Sequence, residues 1–246
     1  KMQGLEWLGF DGKDARGIDQ YAEKNVETNY WFGTDEFGRD LWTRVWKGTQ
    51  ISLFIAVVAA ALDLIIGVIY GGISSFSGGR VDNIMQRTIE ILVWIPNLIV
   101  IILFILILEP GIRSIILAMI ITGWVGMARV VRGQVLQLKG QEFVLASRTL
   151  GASNPRLLWT HILPNVMGPI IVTVMFTIPT AIFFEAFLSF IGLGLQAPLA
   201  SLGVLIEDGY KSMRYFSYKL IYPAIIISTI MICFFQADDG IREVRR

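Results

Sequence analysis

Residues 145–165, LASRTLGASNPRLLWTHILPN, hold a glycine turn, two short amphipathic pieces and a proline between two strongly apolar runs. Gly151 can take a positive φ and so suits a sharp turn between two short helices. Before it, Phe143, Ala146 and Leu150 share one helical face while Arg148 points the other way. After it, Asn154 is a good N-cap and Pro155 a good first helical residue, so a second helix is expected from about Pro155 until Pro164 stops it. The residues alone allow two forms: a compact helix, turn, helix element presented to solvent, or a loop folded back on a membrane surface.

The apolar flanks of this stretch set the class. A helix crossing a bilayer needs about 20 mostly apolar residues, because the hydrocarbon is roughly 30 Å thick and each residue rises about 1.5 Å. Runs near 51–72, 84–108, 112–131, 166–190 and 219–236 meet that measure. With 54% hydrophobic and 17% charged residues, and a mean hydropathy of +0.60, the chain reads as an all-α polytopic membrane protein of about five spans. A net charge of +1 offers no basic field for nucleic acid. One cysteine, Cys233, and one histidine, His161, exclude a zinc site of the usual ligands and an internal disulfide.

Residues 1–48 interleave acidic and basic groups and read as a solvated segment outside the membrane. Its end, GTDEFGRDLWTRVWKG, has the pattern of an amphipathic helix: Thr34 to cap it, Asp35 and Glu36 at its N-terminus, and Phe37, Leu41 and Val45 as a stripe. Trp31, Trp42 and Trp46 suit headgroup depth, so the helix is expected to lie along the membrane; packing on other protein fits the pattern equally. The remainder, 49–246, is the membrane domain. The segment between its third and fourth spans, with the loop 132–165, carries Arg129, Arg132, Lys139, Arg148 and Arg156 against Glu142 alone, which argues that it is cytoplasmic. The N-terminal segment is then outside, as is the interrupted stretch 191–218, where Leu202, Leu205 and Ile206 at helical spacing predict a short surface helix. No secretory signal opens the chain, so a start outside the membrane implies one further span upstream and a six-span parent.

Several residues inside the spans are candidates for function. Asp63 and Glu185 are ionisable groups at membrane depth, where they line a path, relay protons or hydrogen-bond between helices. Pro96 and Pro179 interrupt spans and give either a hinge or a static bend, with Thr177 and Thr180 near the carbonyl that Pro179 frees. The glycine-rich pieces GTDEFGRD and GVIYGG lack the glycine, lysine, serine order that cradles phosphates, so energy must come from a partner or an ion gradient.

The order of residues around Gly151 resembles the cytoplasmic motif of ABC importer permeases: Glu-Ala-Ala, three residues, Gly, nine residues, Ile-x-Leu-Pro. Here it reads Leu145, Ala146, Ser147, then Gly151, then His161, Ile162, Leu163, Pro164. Leu145, Ser147 and His161 depart from the general motif in the way its peptide and nickel branch does. WFGTDEFGRDLWTRVWKGTQISL, SGGRVDNIMQR followed by IPNLIV, and FEAFLSFIGLGLQAP are similar to further signatures of that branch, and the tail ADDGIREVRR is a looser match. The chain thus resembles the second (C-type) transmembrane subunit of an oligopeptide or dipeptide ABC importer, lacking its first helix.

The resemblance implies a type I importer fold and a set of partners: a second, homologous permease, two ABC ATPases that bind ATP and magnesium, an extracellular substrate-binding protein, the peptide and the bilayer of a prokaryotic cell membrane. No cofactor is implied for this chain itself. By the same resemblance Leu145, Ala146, Ser147, Arg148, Leu150, Gly151 and Ala152 form the ATPase-docking helix and turn, and His161, Leu163 and Pro164 join it to the next span. The branch's glutamate before LSF corresponds to Glu185, which with Asp63 and Pro179 makes a candidate lining of the translocation path. A nickel or metal-chelate importer of the same branch is the nearest alternative. An ion-coupled secondary transporter using Asp63 and Glu185 is the alternative of another class, although no inverted repeat is evident. An intramembrane hydrolase finds no base beside a buried serine.

Overall fold

The structure is a computed structural model that describes residues 30–35, 37–108, 110–195 and 199–243, with side chains as far as 236. Glu36, most of the solvated segment before residue 30, positions 196–198 of the glycine-rich signature, and the end of the tail lie outside the described residues. Among the described residues eight helical segments follow one another: α1 (Leu41–Ser77), α2 (Gly79–Trp94), α3 (Asn97–Leu108), α4 (Ile112–Lys139), α5 (Glu142–Thr149), α6 (Asn154–Phe190), α7 (Leu202–Lys211) and α8 (Tyr218–Glu243). Among the described residues the only β pairing is an isolated bridge between Thr34 and Asp40. By length and composition α1, α4, α6 and the Tyr218–Gln236 part of α8 can each cross a membrane, and the α2–α3 pair makes a fifth crossing if it is one span.

The expected surface helix before the first span is replaced by a turn and an early helix start. Thr34 and Asp35 belong to a tight loop closed on Asp40, and the helix begins at Leu41 and continues unbroken to Ser77. Asp40, rather than Thr34, caps it: its carboxylate accepts from the amides of Trp42 at 3.2 Å and Thr43 at 3.1 Å. Of the expected stripe, Leu41 and Val45 are buried and Phe37 is exposed at the loop tip. Trp31, Trp42 and Trp46 form an exposed aromatic run, with centroids 6.1 and 5.6 Å apart along the series.

The expected span 84–108 is broken. Ile95 adopts φ −81°, ψ 122°, the extended conformation that a following proline favours, and α2 and α3 meet at Ile95–Pro96 with a bend of 80°. In α6 the outcome is the reverse. Pro164 does not end a helix, because a π-helical turn over Leu157–Ile162 absorbs an extra residue just before it and the helix runs on to Phe190. The amide of Leu163 reaches back to the carbonyl of Leu158, five residues earlier, so the missing N–H of Pro164 falls where the α-helical register is already shifted.

The chain divides into two compact units. One comprises the described residues up to Leu53 with Phe184–Ile230; its core is Leu41, Val45, Ala200, Leu202 and Leu205, against which Phe32, Tyr218, Tyr222 and Ile226 pack. Asp35 organises the loop of this unit, accepting from the amides of Phe37 and Arg39, both at 2.9 Å, and from the guanidinium groups of Arg39 and Arg44, both at 2.7 Å. Partial burial pushes the Asp35 carboxyl up, but these hydrogen bonds and the charge of Arg44 outweigh it and hold the group below its ordinary value of 3.8.

The other unit spans Phe54–Phe183 and the chain from Met231. Its core is Met127, Val131, Val135, Val144, Leu157, Leu158, Ile162, Val166 and Ile170, so α4, α5 and the start of α6 share one interior. α1 approaches α4 closely because Gly67 and Gly71 face it: a β-carbon at Gly67 would stand 2.6 Å from Cβ of Met127, and one at Gly71 would stand 3.1 Å from the amide nitrogen of Arg132. Small residues four apart are how membrane helices gain contact area when lipid offers no hydrophobic driving force.

Candidate functional site

The stretch around Gly151 folds as a helix, a turn and a second helix. Gly151 has φ +84°, and its amide donates to the carbonyl of Arg148 at 3.0 Å while the amide of Ala152 donates to that of Ser147 at 3.1 Å. This is the paired end of a Schellman motif, in which a left-handed residue lets the chain reverse and satisfies the last carbonyls. Ser153, in extended conformation, stands one residue earlier than the expected cap; Asn154 is already helical, with Pro155 in the first turn.

On α5 and its C-cap, Phe143, Ala146 and Leu150 are exposed together, and Arg148, expected to point the other way, is exposed as well. Val144 is the residue of this helix that is buried, against the core shared by α4 and α6. Phe143, Leu145, Ala146, Arg148 and Leu150 are exposed, Leu150 to 88%. Ser147 is half-buried and its hydroxyl donates to the carbonyl of Phe143 at 2.8 Å. Ala152, His161 and Leu163 are half-buried, and Pro164 is exposed. The loop thus turns one apolar side chain inward and offers an outer surface of two leucines, a phenylalanine and an arginine around the glycine.

Behind the loop stands a charged cluster whose members lie far apart in sequence. Arg132 on α4 donates through Nε and Nη2 to the two oxygens of Asp82 on α2, each at 2.7 Å. Ser74 on α1 donates to the same carboxylate at 2.5 Å and accepts from Nε2 of Gln86 at 3.1 Å. Two turns further along α4, Nζ of Lys139 donates to the carbonyls of Ser75 at 3.2 Å and Phe76 at 3.0 Å, in the last turn of α1. The turn from α1 to α2 passes through Gly78 and Gly79 with φ +61° and +55°, which places Asp82 beneath the end of α1. The Ser, Gly, Gly run and the two cations at α4's polar end are the only sequence signals of this arrangement.

Of the residues at membrane depth, Asp63 and Pro179 belong to the same unit as the loop and Glu185 to the other. Asp63 is buried against Gly123, whose missing side chain makes room for the carboxylate, and its Oδ1 has no hydrogen-bond partner among the described residues. Pro179 is buried inside α6. Thr177 and Thr180 bond to the carbonyls of Thr173 and Phe176, at 2.9 and 2.8 Å, rather than to that of Met175, which Pro179 leaves free. Glu185 is fully buried and accepts from the hydroxyls of Ser52 at 2.8 Å and Ser189 at 2.9 Å. Ser52 in turn accepts from the amide of Leu202 at 3.2 Å, and Ser201 accepts from that of Val204 at 3.3 Å, so the first amides of α7 are tied to the same network. Three serines inside or beside apolar runs were the signal for it.

Comparison with known proteins agrees with this architecture. Residues 38–240 match the family described as binding-protein-dependent transport system inner membrane component. The oligopeptide transport system permease protein OppC of Bacillus subtilis (strain 168) is 54% identical over 222 residues, covering 90% of this chain and 73% of that protein. The dipeptide transport system permease protein DppC of the same strain is 52% identical over 225 residues, covering 90% and 70%. Among solved structures, a chain of the inward-facing MetNI methionine ABC transporter superposes with a TM-score of 0.65 at 20% identity, covering 84% of this chain and 96% of that one. The fold is therefore that of ABC type I importer permeases, a multi-pass transport component of the inner membrane rather than an enzyme. This chain belongs to the family of binding-protein-dependent transport system inner membrane components.

Proposed function

We propose that this chain is one of two permease subunits enclosing the path of an ATP-driven peptide importer, and that it takes its energy through the loop 132–165. The observation that carries the reading is the surface around Gly151: Leu145, Leu150 and Arg148 face outward on a short helix whose inner residue, Val144, is set in the core shared by α4 and α6. An exposed apolar face on a helix so firmly seated is suited to a groove on a separate protein. That protein is an ABC ATPase, one of two that bind ATP and magnesium. Ala146, Ser147 and Ala152 sit in or beside the docked turn, and His161, Leu163 and Pro164 carry its movement into α6.

The proposed cycle is alternating access. ATP binding draws the two ATPases together, the docked loops follow, and the cavity opens outward to take peptide from an external binding protein; hydrolysis resets it. The segment 191–218 with α7 lies on the outer side and forms part of the external gate. Peptide is the substrate because the relatives at more than half identity carry oligopeptide and dipeptide transport names. Glu185 and Asp63 bear on the path through helix packing, since both are buried; Pro179 does so as a bend in α6. The test is uptake into proteoliposomes holding this chain, its partner permease, both ATPases and binding protein, with labelled di- to pentapeptides and with nickel. ATP-dependent accumulation of peptide is expected; accumulation of nickel alone, or uptake by this chain without ATPases, would overturn it.

A further inference from the structure

We infer that Asp82, Arg132 and Lys139 form a clasp that makes α1 move with the ATPase-facing loop; the inference rests on the coupling reading above. α4 and α6 are joined to the loop through the chain itself. α1 is not: along the backbone it is separated from the loop by α2, α3 and α4. Any stroke delivered at Gly151 reaches α1 through side chains or does not reach it.

Two cations on α4 supply the connection. Arg132 and Lys139 are seven residues apart, so they lie on nearly the same face of the helix, separated by about 10 Å along its axis. Arg132 holds Asp82 with two parallel hydrogen bonds at 2.7 Å, the planar geometry that resists rotation as well as separation. Through Ser74, which donates to the same carboxylate, the pair also holds α1. Lys139 grips the last turn of α1 at two carbonyls and lies 5.1 Å from the ring centroid of Phe76.

Packing extends the clasp to the loop. Gly72 of α1 is set against Leu158, whose side chain belongs to the π-helical turn, with 3.2 Å available to a β-carbon. Leu64, Val68 and Phe76 of α1 pack on the core that contains Val144 and Leu157. The inner part of α1, the loop and the start of α6 therefore share one interior, and the ion pair fixes the end of that body where water would otherwise loosen it.

Arg132 and Asp82 are thus positioning residues for transport. The experiment uses the complete complex in proteoliposomes and reads peptide taken up per ATP hydrolysed. Asp82→Asn and Arg132→Gln are expected to assemble and hydrolyse ATP while the ratio falls on the order of tenfold, the size of an ordinary coupling free energy. The exchange Asp82→Arg with Arg132→Asp is expected to recover most of it. Gly151→Val serves as the control for the loop. If the single variants lose hydrolysis and uptake in proportion while Gly151→Val still uncouples, the clasp is only structural and the inference fails alone. If Gly151→Val also transports with a normal ratio, the coupling reading fails and takes the clasp with it. Should the charge variants not assemble, Lys139→Met removes only the grip on α1: a lowered ratio supports the inference and an unchanged one overturns it.

Discussion

Ser52 donates a hydrogen bond to Glu185 at 2.8 Å across 133 positions of sequence, and Ser189 donates to the other carboxyl oxygen. Because the hydroxyl of Ser189 is committed to Glu185, the 3.3 Å contact between Ser189 and Ser201 has Ser201 as donor. Two chains of donors therefore run from the first amides of α7 to the two oxygens of one carboxyl group. Ser52→Ala leaves both a buried acceptor and a buried amide without a partner, and should lower stability by about 1–3 kcal/mol. Thermal denaturation of the purified protein in detergent checks it, with Thr43→Ala, on the exposed side of α1's first turn, as a milder comparison.

Gly151 at φ +84° sits where a β-branched residue clashes with its own backbone, yet beyond its immediate chain neighbours no atom of the described residues lies within 4 Å of an added β-carbon. Gly151→Val is thus expected to deform the turn without disturbing the core, leaving insertion and assembly intact while transport uncouples from hydrolysis. Gly151→Asn, which tolerates the left-handed region, should retain most coupling. Parallel assays of ATP hydrolysis and uptake decide the point; equal coupling in the valine variant would contradict it.

Gly67→Ala and Gly71→Ala test the approach of α1 to α4. Either β-carbon meets α4 inside van der Waals distance, the first at Met127 and the second at backbone, so the helices must part. A loss of about 1–3 kcal/mol is expected for each, as for other overpacked sites, and should register as a lowered denaturation midpoint. Gly126→Ala, where nothing lies within 4 Å, should change little.

Asp35 gives the protein a defined acid sensitivity. Its folded carboxyl titrates below its ordinary 3.8, so its contribution to stability is complete above that value and is lost as pH falls through the folded value beneath it. Below about pH 4 the denaturation midpoint of the native chain should fall more steeply than that of Asp35→Asn, and the two should run parallel at higher pH.

Asp63 separates ATP-driven import from ion coupling. If ATP drives import, Asp63, whose Oδ1 has no hydrogen-bond partner among the described residues, carries no coupled proton: Asp63→Asn should retain peptide uptake, and a protonophore should leave ATP-driven uptake into proteoliposomes unchanged. Loss of uptake in both experiments would make the residue an ion-coupling group.

The spans were legible because hydropathy over 20 residues is a strong signal, and the helix, turn, helix at Gly151 because left-handed glycine and Ser or Asn caps are local. What escaped had local signals that tertiary packing overrode. The amphipathic pattern of residues 34–45 is split between a loop with Phe37 at its tip and the first turn of α1. Pro164 carries the usual mark of a helix end, but the π-helical turn before it removes the conflict. Phe143, Ala146 and Leu150 do share a face, although it is the outer one, since periodicity cannot tell an apolar stripe facing a core from one facing a partner. Asp82 and Arg132, 50 positions apart, had no local signature of pairing at all.

The π-helical turn over Leu157–Ile162 sets the phase between two parts of one continuous helix. An α-helix advances about 100° per residue, so one residue absorbed in a widened turn rotates every side chain before it relative to every side chain after it by roughly that angle. The surface near the turn at Gly151 and the faces of the span beyond Pro164 can therefore be aimed independently, while the backbone between them stays a single rod able to carry torque. Removing one residue there would leave the rod intact and its two ends out of register.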